Sequence, residues 1–219
     1  MEIKVLKGIM DANDTIAARN RDRLDKDRIL TINVMSSPGA GKTSLVMQTI
    51  EKLKPEMNIA VIEGDITSSV DADKVSQQGV PVVQINTEGG CHLDANMIEK
   101  ALNSLSLDGV DLLLIENVGN LVCPAEFILG EHRKVMLLST PEGDDKPHKY
   151  PLMFTESELV LVNKIDLMPY LDFNMDAFNS VVTGLNPGVK ILPISCKTGE
   201  GLEAWLSWLK NEVSQLKKR

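Results

Sequence analysis

Residues 33–46 read NVMSSPGAGKTSLV. A run of apolar residues ends in a glycine-rich turn, and a Lys-Thr pair starts a stretch with helical spacing. The turn fits the second half of the phosphate-binding pattern G-x-x-x-x-G-K-[ST], with Ser36 where the first glycine usually stands. The chemistry survives that exchange. Gly39, Ala40 and Gly41 can bring backbone N–H groups close to phosphate oxygens. The helix N-terminus behind them adds partial positive charge. Lys42 can reach the β- and γ-phosphates, the Thr43 hydroxyl can ligate Mg²⁺, and Ser44 stands behind it.

Outward from this loop the chain alternates short β-rich runs with helical segments. The runs are ILTINVM (29–35), NIAVIEG (58–64), VPVVQIN (80–86), VDLLLIEN (110–117), HRKVMLLST (132–140), SELVLVNK (157–164) and GVKILPIS (188–195). Helices are expected after Lys42, near 71–78, near 91–104 and through the C-terminal GLEAWLSWLKNEVSQLKK. Apolar strands separated by helices imply a parallel sheet covered on both faces. The expected architecture is therefore an α/β three-layer sandwich of the P-loop NTPase type, with about seven strands in a mostly parallel sheet. Residues 29–219 form that domain. Residues 1–28 form an N-terminal helical segment, with Val5, Leu6, Ile9, Ile16 and Ala17 at helical spacing and the charged run RNRDRLDKDR read as a solvated face. Ligands of such folds lie at the carboxyl ends of the strands.

The bulk numbers exclude several classes. A net charge of −8 argues against a general nucleic-acid binder, which needs a basic face. No apolar run approaches the about 20 residues that cross a bilayer, and the first residues lack a secretory signal pattern. Three widely spaced cysteines make a poor disulfide framework and read as reduced thiols. A soluble cytoplasmic protein without membrane or nucleic-acid partners is expected. Aromatics make up only 4%, so the core should be aliphatic.

Further segments at strand ends complete a GTPase pattern. Glu116 and Gly119 form a carboxylate-x-x-Gly element; the carboxylate can hold a Mg²⁺-bound water and the glycine amide can meet a γ-phosphate. Asp65, just past the second strand, can serve Mg²⁺ or orient an attacking water, although a turn role suits a lone Asp equally. Asp71 reads as a helix cap. Lys42, Asp65 and Glu116 are thus the catalytic candidates. Asn163-Lys164-x-Asp166 matches the guanine-reading element: Asp166 can accept from the guanine N1–H and 2-amino group, Asn163 can brace the loop, and the Lys164 stem can lie over the base. Ser195, Cys196 and Lys197 resemble the short loop that backs the base.

Cys91 and His92 follow the third strand and are read as opening the next helix, while Cys123 follows the fourth. Two thiolates and an imidazole suit Zn²⁺ or Ni²⁺ rather than Mg²⁺ or Ca²⁺. Isolated cysteines are more often small buried hydrophobes, and three ligands leave the coordination incomplete. A water, a substrate or a second subunit would finish it. His132 enters a strand and reads as structural. His148, in a polar loop, reads as solvated.

Together SSPGAGKTS, EGD, GGCHLDA, IENVGNLVCP, EGDDKPHKYP, NKIDL and PISCKTGEG resemble the HypB family, the nickel-incorporation GTPases of hydrogenase maturation. The similarity runs from about residue 29 to the C-terminus. The related urease accessory GTPases carry a compact Cys-Pro-His; here Cys123-Pro124 is followed by Ala125. The resemblance implies slow GTP hydrolysis, delivery of Ni²⁺ to a hydrogenase large-subunit precursor, a HypA-like nickel chaperone as partner, and a GTP-promoted homodimer. Cys91, His92 and Cys123 match the family's metal ligands at the dimer interface. The sequence shows neither the Cys-x-x-Cys-Gly-Cys motif nor a histidine-rich stretch found in the family, so metal handling is expected to rest on these three residues. The alternative is a GTPase for another metalloenzyme or cofactor with a structural zinc site.

Overall fold

The computed structural model describes residues 9–66 and 70–218. Helix α1 (Ile9–Lys26) leads into strand β1 (Leu30–Ser36) and helix α2 (Lys42–Leu53). Then come β2 (Ile59–Asp65), α3 (Val70–Ser76), β3 (Val82–Asn86), α4 (Ala95–Ser104), β4 (Leu112–Glu116) and the short α5 (Cys123–Glu126). The second half holds β5 (Arg133–Ser139), α6 (Lys146–Lys149), α7 (Pro151–Thr155), β6 (Leu159–Asn163), α8 (Met175–Leu185), β7 (Lys190–Pro193) and α9 (Leu202–Lys217). The strands form one seven-stranded sheet in the order β3-β2-β4-β1-β5-β6-β7, and every neighbouring pair is parallel.

Side-chain alternation explains how the sheet is covered. Successive strand residues point to opposite faces. Leu112 and Leu114 of β4 therefore join one core, and Leu113 and Ile115 join the other. The first core is filled by α2 and α9, with Leu45, Ile50, Trp205 and Leu209 against β1, β4 and β5. On the opposite face, α1 and α4 cover the half containing β2 and β4, and α7 and α8 cover the half containing β5 and β6. Both faces of the central strands are thus dry, so the strands read as continuous apolar runs. The core is aliphatic apart from a few rings. Trp205 is almost wholly buried, and its indole N–H donates to Thr49 Oγ1 at 2.9 Å.

The charged run of α1 is solvated at Arg19, Asp22, Asp25 and Lys26, as expected, and it also makes contacts that a solvated face does not imply. Ala17, Asn20 and Leu24 are buried among its charged residues. Asn20 Nδ2 donates to the carbonyls of Ala95 and Leu129 at 2.9 and 3.0 Å. Arg21 and Arg23 donate to the carbonyls of Glu131 and Leu102. Asn13 Oδ1 accepts from Ala95 N at 2.9 Å, which satisfies the first N–H of α4. Long polar side chains here reach orphan backbone groups of α4 and its neighbours, a use that composition does not display. Val5 and Leu6 lie outside the described residues, as do the side chains of Ile9 and Asp71.

His132 is structural, as expected. Its Nδ1 accepts from Thr31 N at 3.0 Å, so the ring proton sits on Nε2, which donates to Asp25 Oδ1 at 2.9 Å. Burial holds the imidazole below its usual pKa and outweighs the Asp25 hydrogen bond that pulls the other way. Burial raises Asp25, but its bonds to His132 and Arg21 outweigh that and leave the carboxyl below the usual value. A protonated ring would set N–H against the Thr31 N–H, so the neutral form is the one the fold uses.

Two outcomes follow for stability. Leu24→Ala should cost roughly 2–5 kcal/mol in denaturant unfolding, because the side chain is wholly enclosed. As pH falls below the ordinary imidazole value of 6.5, the unfolded chain takes up a proton at His132 before the folded chain does. This part of the stability is complete above that value and is lost on acidification towards the lower folded value. Denaturant midpoints measured between about pH 5 and pH 8 should show a His132→Gln variant with a shallower acid-side decline than the parent.

Candidate functional site

Every candidate residue read from the sequence lies at the carboxyl end of a strand, as the parallel order dictates. The loop after β1 enters α2 beside a cleft of about 440 Å³, which Lys42, Thr43, Ser44, Asp65, Glu116 and Gly119 help to line. Ser36, at the position usually held by glycine, ends β1; its hydroxyl accepts from Lys42 Nζ at 2.9 Å and donates to Ser37 O. The exchange therefore tethers the lysine. Thr43 Oγ1 donates to Glu116 Oε1 at 2.9 Å, which brings the hydroxyl and the strand-end carboxylate of β4 together. Asp65 is the last residue of β2 and faces the same cleft. Hard oxygen donors from Thr43, Asp65 and Glu116 thus share one space and suit Mg²⁺.

Gly41 is required twice over. Its φ is +105°, and a Cβ there would lie 2.5 Å from Asn163 Nδ2. That amide instead donates to Ala40 O at 2.9 Å, and Asn163 Oδ1 accepts from Cys196 N at 3.1 Å. Lys164 crosses back to donate to Gly39 O at 2.7 Å. Ser195 Oγ donates to Asp166 Oδ1 at 2.6 Å and fixes the carboxylate orientation. Lys197 is exposed, while the Cys196 side chain packs into the first core and its thiol is pushed up to about 12 by burial. At Cys196 the backbone N–H faces the loops, and the sulfur does not. Glu142 was not anticipated. It accepts from Ser139 N and Oγ and from Ser37 Oγ, joining the end of β5 to the phosphate loop.

Cys91, His92 and Cys123 converge, with one ligand atom from each all within 4.8 Å. The sulfurs lie 3.0 Å apart, and Cys91 Sγ is 3.5 Å from His92 Nδ1. The hydrogen bond shared with Cys91 pushes the Cys123 thiol up, with burial adding to it. Burial lowers the His92 pKa and favours the neutral imidazole that metals bind. The His92 ring stacks on Phe127, centroid to centroid at 3.8 Å. His132 and His148 take no part. His148 is exposed in the helical turn α6 rather than in a loop.

One local expectation is corrected. Helix α4 starts at Ala95, capped by Asp94, whose side chain accepts from Met97 N at 2.7 Å. Cys91 and His92 precede it in a bend and do not open the helix. Nor are β3 and β4 neighbours, because β2 runs between them. Two asparagines close the gap. Asn120 Nδ2 donates to Cys91 O at 3.3 Å, and Asn117 Oδ1 accepts from Leu93 N at 3.1 Å. Neither asparagine nor Phe127 was singled out by motif reading. Their only sequence signal is their place within the segment between Glu116 and Cys123, or just past it.

Residues 30–193 match the nucleotide-binding domain of the CobW/HypB/UreG family. The hydrogenase maturation factor HypB of Escherichia coli is 48% identical over 204 residues, 93% of this chain and 70% of its own length. A probable hydrogenase maturation factor HypB of Methanocaldococcus jannaschii is 38% identical, with 98% of this chain and 97% of the relative covered. The crystal structure of HypB from Helicobacter pylori in complex with nickel superposes with a TM-score of 0.88 at 36% identity, covering 93% of this chain and 96% of that one. Sequence and fold agree along nearly the whole length, and the chain belongs to the CobW/HypB/UreG family, among the hydrogenase maturation factors HypB.

Proposed function

We propose that the protein is a GTP-hydrolysing metallochaperone that carries nickel as cargo to a hydrogenase large-subunit precursor. The observation that carries this is the meeting of Cys91 and His92, from the segment after β3, with Cys123, at the end of the loop that leaves β4 at Glu116 in the nucleotide cleft. A soft, thiolate-rich site suits Ni²⁺ or Zn²⁺, and the nickel-bound Helicobacter pylori relative favours nickel.

In this reading the backbone around Gly39, Ala40 and Gly41 cradles the phosphates. Lys42 neutralises their charge, and the Gly119 amide meets the γ-phosphate. Thr43, Asp65 and Glu116 would hold Mg²⁺, which supplies charge neutralisation between the phosphates when bound. Asp65 also orients the attacking water. Asp166 reads guanine from an orientation set by Ser195, Asn163 braces the loop, and the Lys164 stem covers the base. Cys196 contributes its backbone and Lys197 its stem to the loop behind the base. No arginine is assigned to the transition state, so turnover is slow. Three metal ligands leave coordination open for a second copy of the chain in a GTP-promoted homodimer, for a HypA-like nickel chaperone, or for water. The second reading, a structural zinc site in another assembly GTPase, rests on the same ligand chemistry.

Replacing the guanine-reading carboxylate should cost charged hydrogen bonds of about 1.5–3 kcal/mol. Asp166→Asn should therefore weaken GDP by about ten- to hundredfold in fluorescence titration, with ATP unaffected; unchanged GDP affinity would remove the base-reading assignment. The double variant Cys91→Ala/Cys123→Ala should keep its thermal midpoint without metal and lose Ni²⁺ binding in a chelator-competition titration. A variant that is already unfolded in the absence of nickel would support the structural zinc site instead.

A further inference from the structure

The Cys91-His92 pair is held on both sides by one loop. Asn120 grips the carbonyl of Cys91, and Asn117 grips the N–H of Leu93, so the dipeptide lies between two asparagine side chains of the segment after β4. The same segment carries Gly119 and ends at Cys123. It is tied to the phosphate-loop strand as well. Asn117 N donates to Val34 O at 3.0 Å, and Asn120 N donates to Ser36 O at 2.8 Å. Gly119 lies so close to Pro38 that a Cβ would meet its backbone at 3.0 Å. Movement at the phosphate loop therefore has a short covalent and hydrogen-bonded route to both halves of the metal site.

Asn117 is almost fully buried, and its remaining capacity is committed. Its Oδ1 also accepts from Val118 N, and its Nδ2 donates to Asn33 Oδ1 at 3.1 Å. Asn33 in turn donates to Glu131, which accepts from Leu129 N at 2.7 Å. A satisfied buried network of this kind rigidifies one arrangement. Asn120 is the outer member. It is half-buried, and its Oδ1 caps Val122 N at 2.8 Å just before Cys123. One asparagine thus touches the backbone beside both cysteines.

We infer that Asn117 and Asn120 are the positioning residues through which nucleotide state sets the separation of Cys91-His92 from Cys123. This rests on the proposed GTP and nickel sites. Asn117 anchors the Cys91-His92 turn to the rigid interior. Asn120 transmits displacement of the Gly119 segment to Cys91 and Cys123 together. Asn117 also lines the nucleotide cleft and Asn120 hydrogen-bonds the Cys123 thiol, so the two act on geometry beside both sites without being metal ligands.

The test is made on the whole chain, loaded with GDP or with a non-hydrolysable GTP analogue in the presence of Mg²⁺. Ni²⁺ affinity is read in each state by competition with a chromophoric chelator. The parent should show a ratio between states of at least about fivefold. Asn120→Asp keeps the acceptor for Val122 N and removes the donor to Cys91, so the ratio should collapse towards one while nickel still binds. Asn120→Ala should do the same and covers the event that the new charge disturbs folding. A variant that binds nickel with the parent's full ratio overturns the inference, as does a parent that binds nickel equally in both states. A parent that takes up no Ni²⁺ in either state fails at the nickel proposal itself and is distinguished by that result.

Discussion

The Asn163 side chain holds three loops in register. Its amide nitrogen bonds to Ala40 and its amide oxygen accepts from Cys196, so the phosphate loop, the end of β6 and the loop after β7 meet on one buried residue. The geometry leaves no room for a Cβ at residue 41, and the glycine there also takes the positive φ that the turn needs. Lys164 adds a second strap to Gly39. A parallel sheet places these loops at one end, but it does not fix their mutual distances. Short polar contacts of this type do, and they preorganise the cleft without a ligand.

The same logic recurs on the other side of β1. Thr43 meets Glu116, and the loop beyond Glu116 is sewn to Val34 and Ser36 before it reaches Cys123. The phosphate loop therefore stands between the base-side loops and the metal-side loops. Helix α1 supports the metal side from outside, with Asn13 and Asn20 meeting backbone groups around Ala95. This is a use of the N-terminal helix that its charge pattern conceals.

Much of the fold was legible in the sequence because a doubly covered parallel sheet demands long apolar runs at each strand and a turn at each end. All seven runs became strands, and the phosphate loop, Asn163 and Asp166 came out at strand ends. The convergence of Cys91, His92 and Cys123 was also foreseeable, since loops at the same end can meet. What stayed hidden depended on side chains that satisfy backbone groups far away in the chain. Asn117, Asn120 and Glu142 carry no periodic signal, and asparagine is common in turns for reasons unconnected with a site. The start of α4 was misjudged for a related reason: Asp94 caps the helix, yet the Cys-His pair drew the boundary forward. The charged run of α1 is mostly solvated, as its composition implies, but the polar contacts of Arg21 and Arg23 were not legible because long side chains bury their stems and still reach polar partners.

The burial of Cys196 sorts the thiols of this chain by reactivity. With its ionisation pushed up to about 12, that sulfur stays protonated at neutral pH and offers no nucleophile to alkylating or oxidising reagents. Cys91 is exposed and Cys123 partly so. A protein with three cysteines thus presents two to the solvent, side by side. In the proposed metal site, ion binding and covalent damage would compete for the same pair of atoms, and a bound ion would double as a chemical shield.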